Sequence, residues 1–108
     1  MTGLYEVVTG RILLSHREKF FHLHSNILLP MMKSVGIEPV IMLITEVGHY
    51  GRFLDIYKYR DFGDYGTRTD ALLDLPGIND YYREVAQCVP GGIEVSLMRE
   101  LPYNRDWS

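Results

Sequence analysis

Cysteine is nearly absent from this chain of 108 residues, where Cys88 stands alone. That excludes an intramolecular disulfide and any zinc site built from several thiolates. Basic clusters are missing too. Eleven Lys and Arg stand against fourteen Asp and Glu, a formal net charge of −3, and no Lys/Arg stripe forms. The electrostatic footprint of a nucleic-acid binder is therefore lacking, as is a basic membrane-surface helix. No apolar run approaches the ~20 residues of a membrane span. The stretch Met1 to Glu6 has neither the basic start nor the apolar core of a signal peptide. Gly48-His49-Tyr50-Gly51 and Gly91-Gly92 lack the spacing of phosphate-binding loops. The expectation is a soluble cytoplasmic protein without nucleic-acid or membrane partners.

What is present is a globular balance of 46% hydrophobic and 23% charged residues. Residues 1–108 read as a single domain. Tyrosine dominates the aromatics, eight against four Phe and one Trp. Its apolar body and polar tip suit pockets and interfaces. Alternating patterns predict strands at about 4–12, 40–47, 52–59 and 93–99. Helical spacing predicts helices at about 16–35, 62–73 and 78–88. Ser15 and Glu18 have the capping-box pattern. Pro30 falls inside the first helix and should kink or split it, and Gly36 suits its end. Gly10 within the first strand predicts a bulge or a close approach by another group. Pro39 places the second strand at a sheet edge.

The order β-α-β-β-α-β is that of an α+β, ferredoxin-like antiparallel sheet with two helices on one face. The run Val40–Val47 is apolar on both faces, with Val40, Met42 and Ile44 on one and Ile41, Leu43 and Val47 on the other. The helices cover one face only. An uncovered apolar patch invites association, so a two-fold homodimer is expected, sheet against sheet. The alternative is a monomer whose tail, with Trp107, covers the patch.

Candidate chemistry gathers on the strand from Arg52 to Tyr59. Asp55 shares a face with Phe53, Tyr57 and Tyr59, and a carboxylate among aromatic walls can act as a general base. Tyr57 or Tyr59 could then hold a ligand oxygen. The plainer alternative pairs Asp55 with Arg52, Arg11 or Lys58 across strands. Glu6 and Glu46 could meet as a carboxylate pair, though separate, solvated glutamates are the commoner outcome. Of the histidines, His22 and His24 point apart on a helix and cannot chelate one ion together. His24 lies near the helix's apolar stripe of Phe20, Leu23, Ile27, Met31 and Val35, where it could line a pocket or serve as an axial haem ligand. A hydrogen-bonded core or boundary histidine is the commoner outcome. His49 sits in a turn. Phe20, Phe21, Met31, Met32 and Met42 could wall a pocket or simply fill the core. No metal site and no cofactor are expected. The site set is Tyr5, Glu6, His24, Asp55, Tyr57 and Tyr59, with Asp55 the catalytic candidate.

Several short motifs, in order, carry a family likeness. They are Tyr5-Glu6, Leu29-Pro30-Met31, Thr45-Glu46-Val47-Gly48, Ile56-Tyr57-Lys58-Tyr59-Arg60-Asp61 and Arg99-Glu100-Leu101-Pro102. Through them, roughly residues 4 to 103 resemble the NIPSNAP-like family of dimeric α+β barrel proteins. The chain departs from that pattern at Val8, Gly10 and Tyr57. The resemblance implies a ferredoxin-like homodimer. Neighbouring barrel families include cofactor-independent monooxygenases and small-molecule isomerases, a fold-level analogy. Three readings follow: a homodimer binding a small apolar or aromatic molecule between sheet and helices, a monooxygenase- or isomerase-like enzyme, and a non-catalytic interaction module.

Overall fold

The computed structural model describes residues 3–104, so Trp107 lies outside the described residues. Strand β1 spans Leu4–Arg11, β2 Glu38–Ile44, β3 Arg52–Tyr59 and β4 Ile93–Arg99. They form one antiparallel sheet in the order β2-β3-β1-β4. This is the ferredoxin-like arrangement, with Pro39 on an edge strand as its missing N–H requires. The ladder between β2 and β3 slips at Pro39–Ile41. Strand β2 stops earlier than its apolar run suggests. Ile44 is its last residue, and Glu46 and Val47 lie in the connecting loop, with Val47 92% exposed. Gly10 lies in an unbroken register. A Cβ there would stand 3.0 Å from Val89 Cγ1 and 3.1 Å from Gly92 O, so the close approach, not a bulge, explains it.

The first crossover is helical from Leu14 to Ser34 but changes winding on the way. A 3-10 turn at Leu14–His16 leads into α1, Arg17–His22. A π segment follows at Leu23–Leu28, and α2 runs from Leu29 to Ser34. Ser15 does not cap the helix, because its hydroxyl pairs with His16 Nδ1 at 2.9 Å. Pro30 does not break the helix, since backbone angles stay helical on both sides of the π segment. Two local causes favour the wider winding. Pro30 offers no N–H to the turn before it, and Ser25 Oγ donates to Phe21 O at 2.7 Å. The end is a Schellman motif. Gly36, at φ +79°, donates to Lys33 O, and Ile37 donates to Met32 O.

The second crossover is two helices, α3 at Phe62–Leu73 and α4 at Ile78–Cys88. Asp61 caps α3 by accepting from Asp64 N at 2.7 Å. Gly77, at φ +89°, turns the chain between them. The core lies between the helices and one sheet face. Leu4, Phe53, Tyr57 and Tyr59 supply the sheet side, and Phe20, Leu28, Met32, Leu72, Ile78 and Tyr81 the helix side. The other face carries Val7, Ile41, Leu43, Leu54, Ile56 and Met98, as the strand register dictates. Leu43 is 51% exposed and Met98 56%.

Candidate ligand-binding site

Alternation along β3 turns Phe53, Asp55, Tyr57 and Tyr59 toward the helices, and all four are buried. On β1, Glu6 stands opposite Tyr57, and Val8 stands opposite Asp55. Asp55 and Glu6 are thus diagonal neighbours on one face, with Cα atoms ~7–8 Å apart by sheet geometry. The helix contributes a row of residues four apart: Phe20, His24, Leu28 and Met32. In a uniform α-helix such a row drifts around the axis. The wider π winding between Leu23 and Leu28 turns it back, so all four face the sheet.

A cavity of about 150 Å³ remains between that row, the sheet and helices α3 and α4. An apolar cavity of ~150 Å³ is large enough for one benzene ring. Its mouth lies beside β4, where the lining residues Ile93 and Val95 are about half exposed. Aromatic rings from Phe20, Phe53, Tyr57, Tyr59, Tyr81 and Tyr82 line it.

Two polar groups break this apolar wall. At the first, His24 Nε2 lies 2.7 Å from Asp55 Oδ2, and Tyr57 Oη donates to the same oxygen at 3.1 Å. The imidazole stacks on Phe20, centroids 5.3 Å apart and planes 17° from parallel. A carboxylate accepts only, so the His24 proton belongs on Nε2. That puts a hydrogen on Nε2 and leaves Nδ1 as the ring nitrogen turned away from the carboxylate. Burial pushes the Tyr57 hydroxyl far above its ordinary pKa, and the Asp55 charge adds to it.

At the second, Glu6 accepts from Tyr59 at 3.2 Å on Oε1 and from Tyr65 at 3.3 Å on Oε2. The two tyrosine rings meet edge to face, centroids 5.0 Å apart. Burial raises the Glu6 pKa, opposed by these two hydrogen bonds. Both tyrosines are raised in turn, by burial first and the Glu6 charge second.

Five of the six site residues expected from sequence line this cavity: Glu6, His24, Asp55, Tyr57 and Tyr59. Tyr5 does not. The pleat puts it on the opposite face, where its hydroxyl donates to Glu100 Oε1 at 3.1 Å. The expected partners of Asp55 are also replaced. Lys58 lies on the other face, Arg11 and Arg52 pair at the strand end, and His24 takes the carboxylate instead. Glu46, in its loop, is exposed and does not meet Glu6. His16 and His22 bond to Ser15 and Asn26. Among the described residues, no group of three or more His, Cys, Asp or Glu side chains is arranged to hold a metal ion. No helix among them is long and apolar enough to cross a membrane. Tyr65, Tyr81 and Tyr82 are not in the expected site set. Tyr81 and Tyr82 belong to the apolar stripe Ile78, Tyr81, Tyr82, Val85 and Cys88 of the last helix, a pattern that marks a buried face without telling core from pocket.

No protein-family model matches the sequence, and no curated protein does. Solved structures do match the fold. A NIPSNAP family protein of unknown function from Agrobacterium tumefaciens superposes with a TM-score of 0.82 at 17% identity, over 95% of this chain and 92% of that one. A second NIPSNAP family protein from the same organism gives 0.84 at 12% identity, over 95% and 97%. A Nitrosomonas europaea protein provisionally named an antibiotic biosynthesis monooxygenase gives 0.71 at 12% identity, over 93% and 91%. The likeness first read from short motifs therefore holds for the architecture: this chain has the fold of the NIPSNAP-like α+β barrel proteins.

Proposed function

We propose that this protein binds a small, ring-sized apolar or aromatic molecule in the cavity between sheet and helices, working as a homodimer. The cavity itself carries the proposal. A core built only for stability closes such space, because unfilled volume costs stability. Here the space is walled by aromatic rings and carries a few polar groups, the make-up of a ligand pocket. A non-catalytic interaction module would favour a filled interior instead. The bare sheet face, with Ile41, Leu43 and Met98 exposed, supports association with a second copy.

A second, enzymatic reading rests on one observation, the His24–Asp55 pair. A histidine oriented by a buried carboxylate is the arrangement of a general base. Its proton acceptor would be His24 Nδ1, with Asp55 stabilising the imidazolium that forms. The monooxygenase name of a 12% identical neighbour speaks for this reading by fold analogy alone.

Binding is tested by titrating phenol into the 15N- and 13C-labelled protein and following the His24, Tyr81 and Tyr82 ring signals. Saturable shifts confined to these rings are expected. Val95→Trp, which places an indole at the mouth, should abolish them. Shifts scattered over the surface, or none, would remove the pocket from the function.

A further inference from the structure

The carboxylates set back from solvent differ in the nitrogen donors that face them. Asp55 has His24 at 2.7 Å. Asp64 has the guanidinium groups of Arg60 and Arg68. Glu6 has neither kind of partner. Among the described residues, no Lys, Arg or His forms an ion pair with it, and its contacts are the hydroxyls of Tyr59 and Tyr65. Among the described residues, the cavity lining contains no Lys or Arg. A half-buried carboxylate without a cationic partner among the described residues therefore lines a ring-sized pocket.

The hydrogen-bond inventory sharpens the point. An ionised carboxylate has about four lone-pair sites. Tyr59 takes one on Oε1 and Tyr65 one on Oε2. About two remain once the Tyr59 and Tyr65 protons point at Glu6. What this end of the pocket still requires is a donor, and a charged donor serves best in a site with little water. The walls agree. Aromatic faces attract cations through their quadrupoles and do nothing for anions. Tyr59 and Tyr82 flank this end, and the hydroxyl of each is pushed up, by burial first and by the Glu6 charge second.

Resting on the reading that the cavity binds a small ring, we infer that its ligand is an organic cation, an aryl-alkyl ammonium compound with its ammonium on Glu6 and its ring among the aromatic walls. The His24–Asp55 pair, diagonally across the sheet, then faces the far side of the ring.

A matched series tests this: benzylamine, benzyl alcohol and benzoate, alike in size and differing in charge, titrated calorimetrically at pH 7. Benzylamine is expected to bind about tenfold tighter than benzyl alcohol, a gap of ~1.4 kcal/mol, and benzoate not to bind. In Glu6→Gln the ratio between amine and alcohol should fall to about one. Equal binding of alcohol and amine by the native protein would overturn the inference while leaving the pocket reading intact. So would an amine preference that survives in Glu6→Gln. Failure of all three compounds to bind would overturn both. Glu6→Gln keeps an acceptor for the tyrosines, and the native-protein series decides the question without it.

Discussion

His24 Nε2 and Asp55 Oδ2 meet at 2.7 Å across the interface between helix and sheet. The contact joins residues 31 apart in sequence and is shared with Tyr57, whose hydroxyl donates to the same oxygen at 3.1 Å. Asp55 is therefore the hub, and its loss strands two donors. Asp55→Ala is expected to cost about 2 kcal/mol or more, since each buried donor left without an acceptor costs ~1–3 kcal/mol. Tyr57→Phe removes one donor cleanly and should cost about 1 kcal/mol. The double variant should be clearly less destabilised than the sum of the two. Urea denaturation of all four proteins gives the comparison, and strict additivity would dissolve the proposed network.

Glu6 makes stability depend on pH with a definite sign. Its folded pKa is raised above the reference value of 4.5, chiefly by burial. The folded state thus holds that proton more tightly than the unfolded chain does. The resulting stabilisation is complete below the unfolded pKa and is lost as pH rises through the folded one. Relative to Glu6→Gln, the parent should lose melting temperature over that rise and then level off. A difference that stays flat with pH, or runs the other way, would show that Glu6 is not desolvated as placed. An aryl-alkyl ammonium ligand should restore the difference, because it returns the missing charge.

Much of this was legible in the chain, for identifiable reasons. Period-two alternation placed Phe53, Asp55, Tyr57 and Tyr59 on one face, and Pro39 put its strand on an edge. The resemblance in short motifs led to an architecture that the structure shares with NIPSNAP family proteins. What failed were properties set by contacts distant in sequence. Tyr5 and Glu6 are adjacent, and only the pleat decides which sees the pocket. Along the sheet the sequence offers Arg and Lys to Asp55, yet its partner, His24, comes from the helix above. That helix carries the π segment, and a period of 3.6 residues assigns its faces wrongly there. The row Phe20, His24, Leu28, Met32 is invisible until the winding is known.

Two glycines should respond unequally to alanine. Gly51, at φ +81°, would place a Cβ 2.3 Å from the Ile12 carbonyl oxygen. Its own carbonyl accepts from Ile12 N at 2.8 Å, so backbone would have to move at the end of β1. Gly36, at φ +79°, would crowd its Cβ against Arg68 Nη1, a side-chain end that can move only by giving up its hydrogen bond to Val35 O. Both pay the left-handed penalty of ~1–2 kcal/mol. Gly51→Ala should cost clearly more in denaturation, because its obstacle cannot swing away. Equal losses would mean that the loop adapts as freely as Arg68 does.

The bare sheet face yields the last expectation. Leu43 is half exposed on edge strand β2, its side chain turned from the helices. In a lone subunit Leu43→Lys is a surface change and should alter stability by no more than about 0.5 kcal/mol. In a two-fold dimer packed sheet to sheet, the same substitution occurs twice at the interface. Two unpaired ammonium groups would then be buried at a cost of several kcal/mol. Each ~1.4 kcal/mol weakens association tenfold, so a loss of about a hundredfold or more is expected. Sedimentation velocity across a concentration series should show the parent as a dimer and Leu43→Lys as a monomer with unchanged circular dichroism. A parent that sediments as a monomer at every concentration would end the dimer proposal. A variant that stays dimeric would move the interface away from this face.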